Sequence, residues 1–572
     1  MDDKRNLILA MVLASLILFG WPFIQERFFP AANPPVTKVE GGRTKPLADP
    51  SVPAAGGAAA VKDRTVALRE GPRVIIDAPK IKGSINLKGA RFDDIVLPTY
   101  KETIAKNSAP VRLFSPSGTS DAYFAGFGWS GQGVKAPDGN TLWTASGTKL
   151  TPQTPVRLSW DNGAGQLFQI KLSIDDQYMF TVTQSVTNRA TGAVAVAPYG
   201  YVSRDGVSKD PDSWTIQVGP VGVFDGKANY DVDYKDLDKT SPEKFTSTGG
   251  WLGFTDKYWL AALIPDQKTA FDASFRKGGA TQYQADFAEK PSVVAPGRTA
   301  ATQSKLFVGA KEIHTLEGYS NSGAQMLDFA IDWGWFRWFE KPIFYLLHWL
   351  FEMTRNFGVA IILLTFIVRG IMFPVAQRQF ASMAAMRAIQ PKMKALQEKH
   401  KDDKAKQQQA IMELYRQEKV NPLAGCLPIF LQIPVFFALY KVLMLSIEMY
   451  ELPAVRAVDQ GSLVMRARSS CVDILNLFAT CYSFTPPWSS PGIGVLAILL
   501  GISMWLQFRL NPAPMDEAQK QIFAIMPWMM MFVMAPFAAG LLIYWITSNM
   551  LTIAQQSWLY SRHPALKVAP AK

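Results

Sequence analysis

The chain has 572 residues, of which 48% are hydrophobic, 12% aromatic and only 19% charged, with a formal net charge of +12. A length well above roughly 250–300 residues predicts several domains, the aromatic content excludes a disordered chain, and three Cys exclude a disulfide scaffold. Mean hydropathy is only +0.04, so the apolar residues must be concentrated in part of the chain, as in a membrane protein with a large soluble portion.

Residues Leu7–Ile24 form an apolar stretch preceded by Lys4 and Arg5. It exceeds the roughly 7–15 residues of a secretory signal, and Phe28-Phe29-Pro30 stands where cleavage needs small residues, so residues 1–29 read as an uncleaved signal-anchor helix. Pro, Gly and Ala dominate residues 30–72, which predicts a flexible linker. Over residues 73–330 the pattern changes to period two. Phe168, Ile170, Leu172 and Ile174 alternate with polar residues, Asp175-Asp176 marks a turn, and Tyr178, Phe180 and Val182 alternate again. With similar runs at Ile85–Leu97, Val156–Trp160 and Trp214–Val218, this predicts a soluble antiparallel β-sandwich.

Residues 331–352 carry Trp333, Trp335, Trp338 and Trp349 among apolar and charged side chains. Such a segment reads as an amphipathic interfacial helix, against the plainer reading of a core helix of the soluble domain. Residues 353–560 then hold the apolar stretches Phe357–Val375, Leu423–Ile447, Gly492–Phe508 and Ile522–Tyr560, the last divided by Pro536 and Gly540. Cys471–Phe484 is shorter and contains Asp473, so it is left outside the bilayer. The predicted fold class is an integral membrane α-helical protein with six transmembrane helices, five of them forming a core, and a large antiparallel β-sandwich domain outside the cytoplasm.

Charge orients this scheme. Residues 377–421 carry ten Lys/Arg against five acids, which places them in the cytoplasm. Tracing from there puts Arg509, Lys520, both termini and the short basic tail 561–572 inside and the β domain outside. Met386, Ile389, Met393 and Leu396, then Ile411, Leu414 and Tyr415, predict a helical hairpin turning at Lys401–Lys404. Its basic surface includes Arg387, Lys392, Lys394 and Lys399. That surface either merely obeys the orientation rule or meets RNA or an acidic client segment.

Arg369 is the sharpest feature. It lies about 18 Å from the outer end of its span and about 9 Å from the inner end, at about 1.5 Å per residue. A cation there costs on the order of 2.5–3.5 kcal/mol. Two readings are open: the side chain snorkels to the cytoplasmic headgroups, or it faces a hydrated cavity between helices. Thr365 sits one turn away on the same face. Gln432, Gln507 and the run Thr547, Ser548, Asn549, Thr552, Gln555 and Gln556 also crowd the cytoplasmic half, a bias that interhelical glue alone does not explain. No Asp or Glu falls within the five core spans, no phosphate-loop motif occurs, and the four His and three Cys are scattered. The residues therefore predict no cofactor, no metal site and no enzyme chemistry. Five Met between Met526 and Met534 suit a surface that accepts varied apolar partners, or simple core filling.

The stretches Thr365–Met372 and Lys419–Pro428, with Thr547-Ser548-Asn549, occur in this order within this layout. Over the whole chain they resemble the YidC membrane protein insertases of Gram-negative bacteria, in the YidC/Oxa/Alb superfamily. The resemblance implies a nucleotide-independent insertase and chaperone of the inner membrane with its β domain in the periplasm. It implies a hydrophilic groove, open to cytoplasm and lipid, formed by Arg369, Thr365, Gln432, Gln507 and Asn549. It also implies a client slide along Ile433, Val435, Phe436, Tyr544 and Trp545, where Trp545 replaces the second Tyr common in the family. The implied partners are nascent membrane proteins, the lipid bilayer, the Sec translocon and the ribosome, with no specific nucleic acid or nucleotide. Because the tail is short, ribosome contact would rest on residues 377–421.

Two other function classes compete. A membrane-anchored carbohydrate-binding protein is suggested because the family's periplasmic domain resembles sugar-epimerase sandwiches, but His314, the only His of that domain, lies past its strand-rich region. A secondary transporter is disfavoured by core spans without carboxylates.

Overall fold

The computed structural model describes residues 62–102, 107–210, 217–239, 241–279, 281–334, 336–400, 403–418, 427–445, 447, 495–510, 517–535 and 539–562. The predicted signal anchor, most of the linker, Trp335, Cys471–Phe484 and all but the first two residues of the basic tail lie outside the described residues.

Residues 62–72, expected to be linker, are folded. Asp63 accepts from the Thr65 backbone and caps helix α1, Arg64–Arg69, and Gly71-Pro72 stops it. Lys62 N donates to Gly118 O at 2.8 Å and Arg64 pairs with Asp121 at 3.2 Å, fastening this turn to the domain. Composition pointed to a linker here, whereas the capping residue carried the correct signal.

Two sheets follow, one of eleven strands and one of nine among the described residues. The predicted hairpin is present as strands Gln166–Ile174 and Met179–Asn188, paired antiparallel with Phe180 opposite Ile174 and Asn188 opposite Gln166. Asp175 closes its turn by accepting from the backbone N–H groups of Gln177 and Met179 at 2.9 and 3.0 Å. The alternating apolar residues fill the space between the sheets. Phe92 meets Phe180 and Trp129 meets Phe168, each edge-on with centroids 5.1 Å apart.

Three expectations need correcting in detail. The run Ile85–Leu97 is two strands, Lys82–Asn86 and Arg91–Lys101, because Gly89 and Ala90 take the left-handed backbone of a turn. The run at Trp214–Val218 falls partly outside the described residues, and the strand there begins only at Gly219. The sandwich is also not wholly antiparallel: Arg73–Asp77 pairs in parallel with Lys149–Leu150, a register that the long intervening connection allows.

After helix α2 (Tyr234–Lys239) and the remaining strands, helix α3 (Ile313–Asn321) closes the domain. Glu312 fixes its start, accepting from Lys80, Tyr100 and Tyr178 at 2.6, 3.0 and 2.7 Å. Helix α4 spans Arg337–Thr354, later than the expected start at 331. Residues 331–334 are not helical, and Trp333 is buried against Phe344 instead of facing headgroups. The amphipathic expectation holds for α4 itself. Ile343, Phe344, Leu347 and Leu350 are buried, while Trp338, Tyr345, Trp349 and Met353 form an exposed stripe at helical spacing. Lys341 ties α4 to the domain through Glu317 at 2.7 Å and Asp328 at 3.2 Å.

The remaining helices are α5 (Phe357–Ala388), α6 (Gln390–Lys399), α7 (Lys404–Gln417), α8 (Leu427–Leu445), α9 (Val495–Leu510), α10 (Glu517–Met534) and α11 (Ala539–Arg562). Among the described residues, Phe357–Gln377 is long and apolar enough to cross a membrane unaided, whereas Gln432–Leu445, Val495–Arg509 and Ala524–Met534 are apolar but shorter. The hairpin also differs from expectation. Its first arm is not one helix from Met386, because α5 runs unbroken through Val375 to Ala388 and breaks at Ile389, and Pro391, which has no N–H to continue the α5 ladder, sits in the first turn of α6. Asp403 caps α7, and Tyr415 OH approaches Met393 Sδ at 3.3 Å across the hairpin. Lys392 pairs with Glu418 at 2.5 Å. Lys399 is exposed, while the side chains of Arg387 and Lys394 lie outside the described residues.

Candidate functional site

The candidate site lies where α5, α8, α9 and α11 meet. Gly540 permits the close approach at the N-terminal end of α11: a Cβ there would stand 2.9 Å from Ile361 on α5 and 3.2 Å from Leu443 on α8. Two turns further along α11, Ser548 receives Arg369. Both Nε, at 2.9 Å, and Nη2 of the half-buried guanidinium donate to Ser548 Oγ. Among the described residues Arg369 makes no ion pair, and the neutral Ser548 hydroxyl accepts both of these bonds.

The next residue, Asn549, points to α9. Its Nδ2 donates to Ser503 Oγ at 2.9 Å, and Ser503 donates to its own helix at Leu500 O, 2.8 Å away. One turn back along α11, Tyr544 OH accepts from Gln432 Nε2 on α8. Phe436, one turn after Gln432, meets Trp545 edge-on at 5.3 Å. The α8–α11 seam is therefore shut by a hydrogen bond and an aromatic contact on consecutive residues of α11.

Of the residues expected from sequence, Gln432 and Phe436 on α8 meet Tyr544 and Trp545 on α11, Arg369 reaches α11 from α5 at Ser548, and Asn549 turns away from that seam to α9. Thr365 is on the right face but fully buried, its hydroxyl engaged by Ile361 O at 2.7 Å, so it does not reach Arg369. Gln507 is half-buried and hydrogen-bonds none of these residues. Along the expected slide, Ile433 is exposed, Phe436 and Trp545 are half-buried, and Val435 and Tyr544 are buried. Sequence reasoning noted Ser548 only as one of a polar run and missed that it takes Arg369. It missed Ser503 altogether, although a hydroxyl in the middle of an apolar stretch was visible. It also passed over Lys441, a cation in the C-terminal part of α8.

Lys441 faces the second polar feature of the helical region. Glu340 on α4 is only 3% exposed, and among the described residues its Oε2 has no hydrogen-bond partner. Burial raises its carboxyl to about 7, with the Lys441 charge pulling it down and Asp332 adding to the rise.

His314 does not face a strand-lined cleft. It stands on α3 against α4, with its ring 5.1 Å from that of His348 and 5.8 Å from that of Tyr345. Burial and the neighbouring His314 push the His348 imidazole below its ordinary value.

Fold and seam together define a class, that of helical membrane proteins carrying a large β-sandwich domain. Comparison with known proteins narrows it. The YidC periplasmic domain matches residues 73–346 and the 60Kd inner membrane protein matches residues 349–566, the two meeting inside α4. The membrane protein insertase YidC of Zymomonas mobilis subsp. mobilis is 45% identical over 570 residues, covering 98% of this chain and 96% of the relative. That of Methylobacterium nodulans is 42% identical over 588 residues, with 98% and 96% covered. The chain belongs to the YidC family. A crystal structure of an active YidC insertase with its first transmembrane domain resolved aligns over 86% of this chain and 96% of that chain, at 16% identity and a TM-score of 0.34.

Proposed function

We propose that the chain is a membrane protein insertase and chaperone. It takes client transmembrane segments through the Arg369 groove and releases them into lipid along α8 and α11, without nucleotide hydrolysis or any catalytic step. In this reading residues 1–29 anchor the chain, residues 73–330 form the periplasmic domain, and the core completes six spans of the bacterial inner membrane with both termini cytoplasmic. Its partners are nascent membrane proteins and the bilayer, with the Sec translocon upstream. The ribosome would be met at the basic hairpin, through residues such as Lys392 and Lys399.

The observation that carries this reading is the pairing of Arg369 with Ser548. A guanidinium held by a neutral hydroxyl is available to an incoming carboxylate, because the exchange puts a full opposite charge, and two oxygens that match the guanidinium fork, where one neutral acceptor stood. The client's own apolar helix supplies the driving force on leaving the seam, at roughly 25 cal/mol per Å² removed from water. The α8–α11 contacts must part for this, among them the Gln432–Tyr544 hydrogen bond and the Phe436–Trp545 aromatic pair.

Proteoliposomes holding the full chain and no nucleotide are expected to bring a two-span client to a protease-protected state. Protection no greater than in empty liposomes, or protection that requires nucleotide hydrolysis, contradicts the proposal.

A further inference from the structure

Ser548 and Asn549 are consecutive on α11, so their side chains leave the helix about 100° apart. The first faces α5 and receives Arg369, and the second faces α9 and donates to Ser503 at 2.9 Å. Asn549 and Ser503 are 3% and 4% exposed, so neither amide nor hydroxyl has water as an alternative partner. Ser503 donates its own proton to Leu500 O, which fixes its lone pairs towards Asn549. Thr552, the next hydroxyl on α11, bonds Ser548 O within the same helix at 2.8 Å and so does nothing to set that helix's rotation. Gln432 on α8 bonds Tyr544 of α11 one turn away, and the Ser503 bond fixes the side of α11 that faces α9.

We propose that Ser503 is a positioning residue of the groove: by holding Asn549 it sets the rotation of α11 that presents the Ser548 hydroxyl to Arg369. The inference rests on the proposed reading of Arg369 as the group that receives a client's acidic segment. Without the Ser503 hydroxyl, Asn549 must turn to find another acceptor. Ser548 turns with it, and the guanidinium is no longer held in the orientation that meets the client.

The test uses the full chain in proteoliposomes and two clients that differ only by one Asp-for-Asn change in the translocated segment. Protein abundance in the membrane is matched for every variant. Ser503→Ala is expected to lower insertion of the acidic client about fivefold, the loss of one buried hydrogen bond, with the neutral client within about twofold of wild type. Ser503→Thr keeps the hydroxyl and is expected to restore the acidic client. A merely structural role would lower both clients together, and that result overturns the proposal. So does a Ser503→Ala protein that handles the acidic client as wild type does. If Arg369→Ala separates the two clients while Ser503→Ala does not, the positioning role fails and the groove reading stands. If Arg369→Ala lowers both clients equally, both fail.

Discussion

Arg369→Ala is expected to lower insertion of a client bearing an acidic residue in its translocated segment by at least about tenfold, while a client with a neutral segment changes about twofold or less. The reason is the balance at the site. Among the described residues the half-buried guanidinium bonds Ser548, a single neutral acceptor. A carboxylate in its place brings a full opposite charge and two oxygens that match the guanidinium fork, and a net gain of about 1.4 kcal/mol already corresponds to tenfold. Arg369→Lys keeps the charge but loses the planar fork, so an intermediate defect is expected. The protease-protected fraction of each client against time measures all three proteins. Equal losses for both clients in the alanine variant would make Arg369 interhelical glue.

Glu340→Gln is expected to stabilise the protein above neutral pH. In the folded state the carboxyl sits at about 7 because it is buried, against an ordinary value of 4.5. A carboxyl raised in this way favours the folded state fully below pH 4.5, and that contribution is lost as pH rises through about 7. The rise of roughly two to three pH units corresponds to on the order of 3 kcal/mol between the two limits. Glutamine keeps the shape and removes the titration. Wild type and variant should therefore unfold at similar temperatures at pH 5, and the wild type at a lower temperature at pH 8. The groups facing this carboxyl are Lys441 on α8 and Asp332 before α4, so the change reports how α4 is docked on the core. Parallel pH profiles for the two proteins would contradict the assignment.

The fold was most legible where one face is apolar and the other polar. The hairpin at Gln166–Asn188 could be read residue by residue, since period two and the Asp175 turn point to the same register. Helix α4 was legible as amphipathic, but its start was not, because Trp333 looks the same in sequence whether it packs on Phe344 or on lipid. Uniformly apolar helices such as α8 and α9 carry no facial signal. Their spans could be marked approximately, while their partners depend on tertiary packing that periodicity does not encode. The same limit governs the site. Arg369 stands out because a cation within a span is costly, whereas Ser503 is an unremarkable hydroxyl until α11 brings Asn549 beside it. Thr365 shows the converse: helical spacing placed it correctly, but its hydroxyl turns back onto Ile361 O.

The proposed function requires clients to pass along the seam between α8 and α11. Photocrosslinkers at Ile433, Phe436 and Trp545 report that passage, with Phe532 on the exposed face of α10 as the control. During insertion into proteoliposomes, a stalled client segment is expected to crosslink from all three seam positions and only weakly from Phe532. Crosslinks confined to Phe532, or equal at all four positions, would mean that the client does not use the seam.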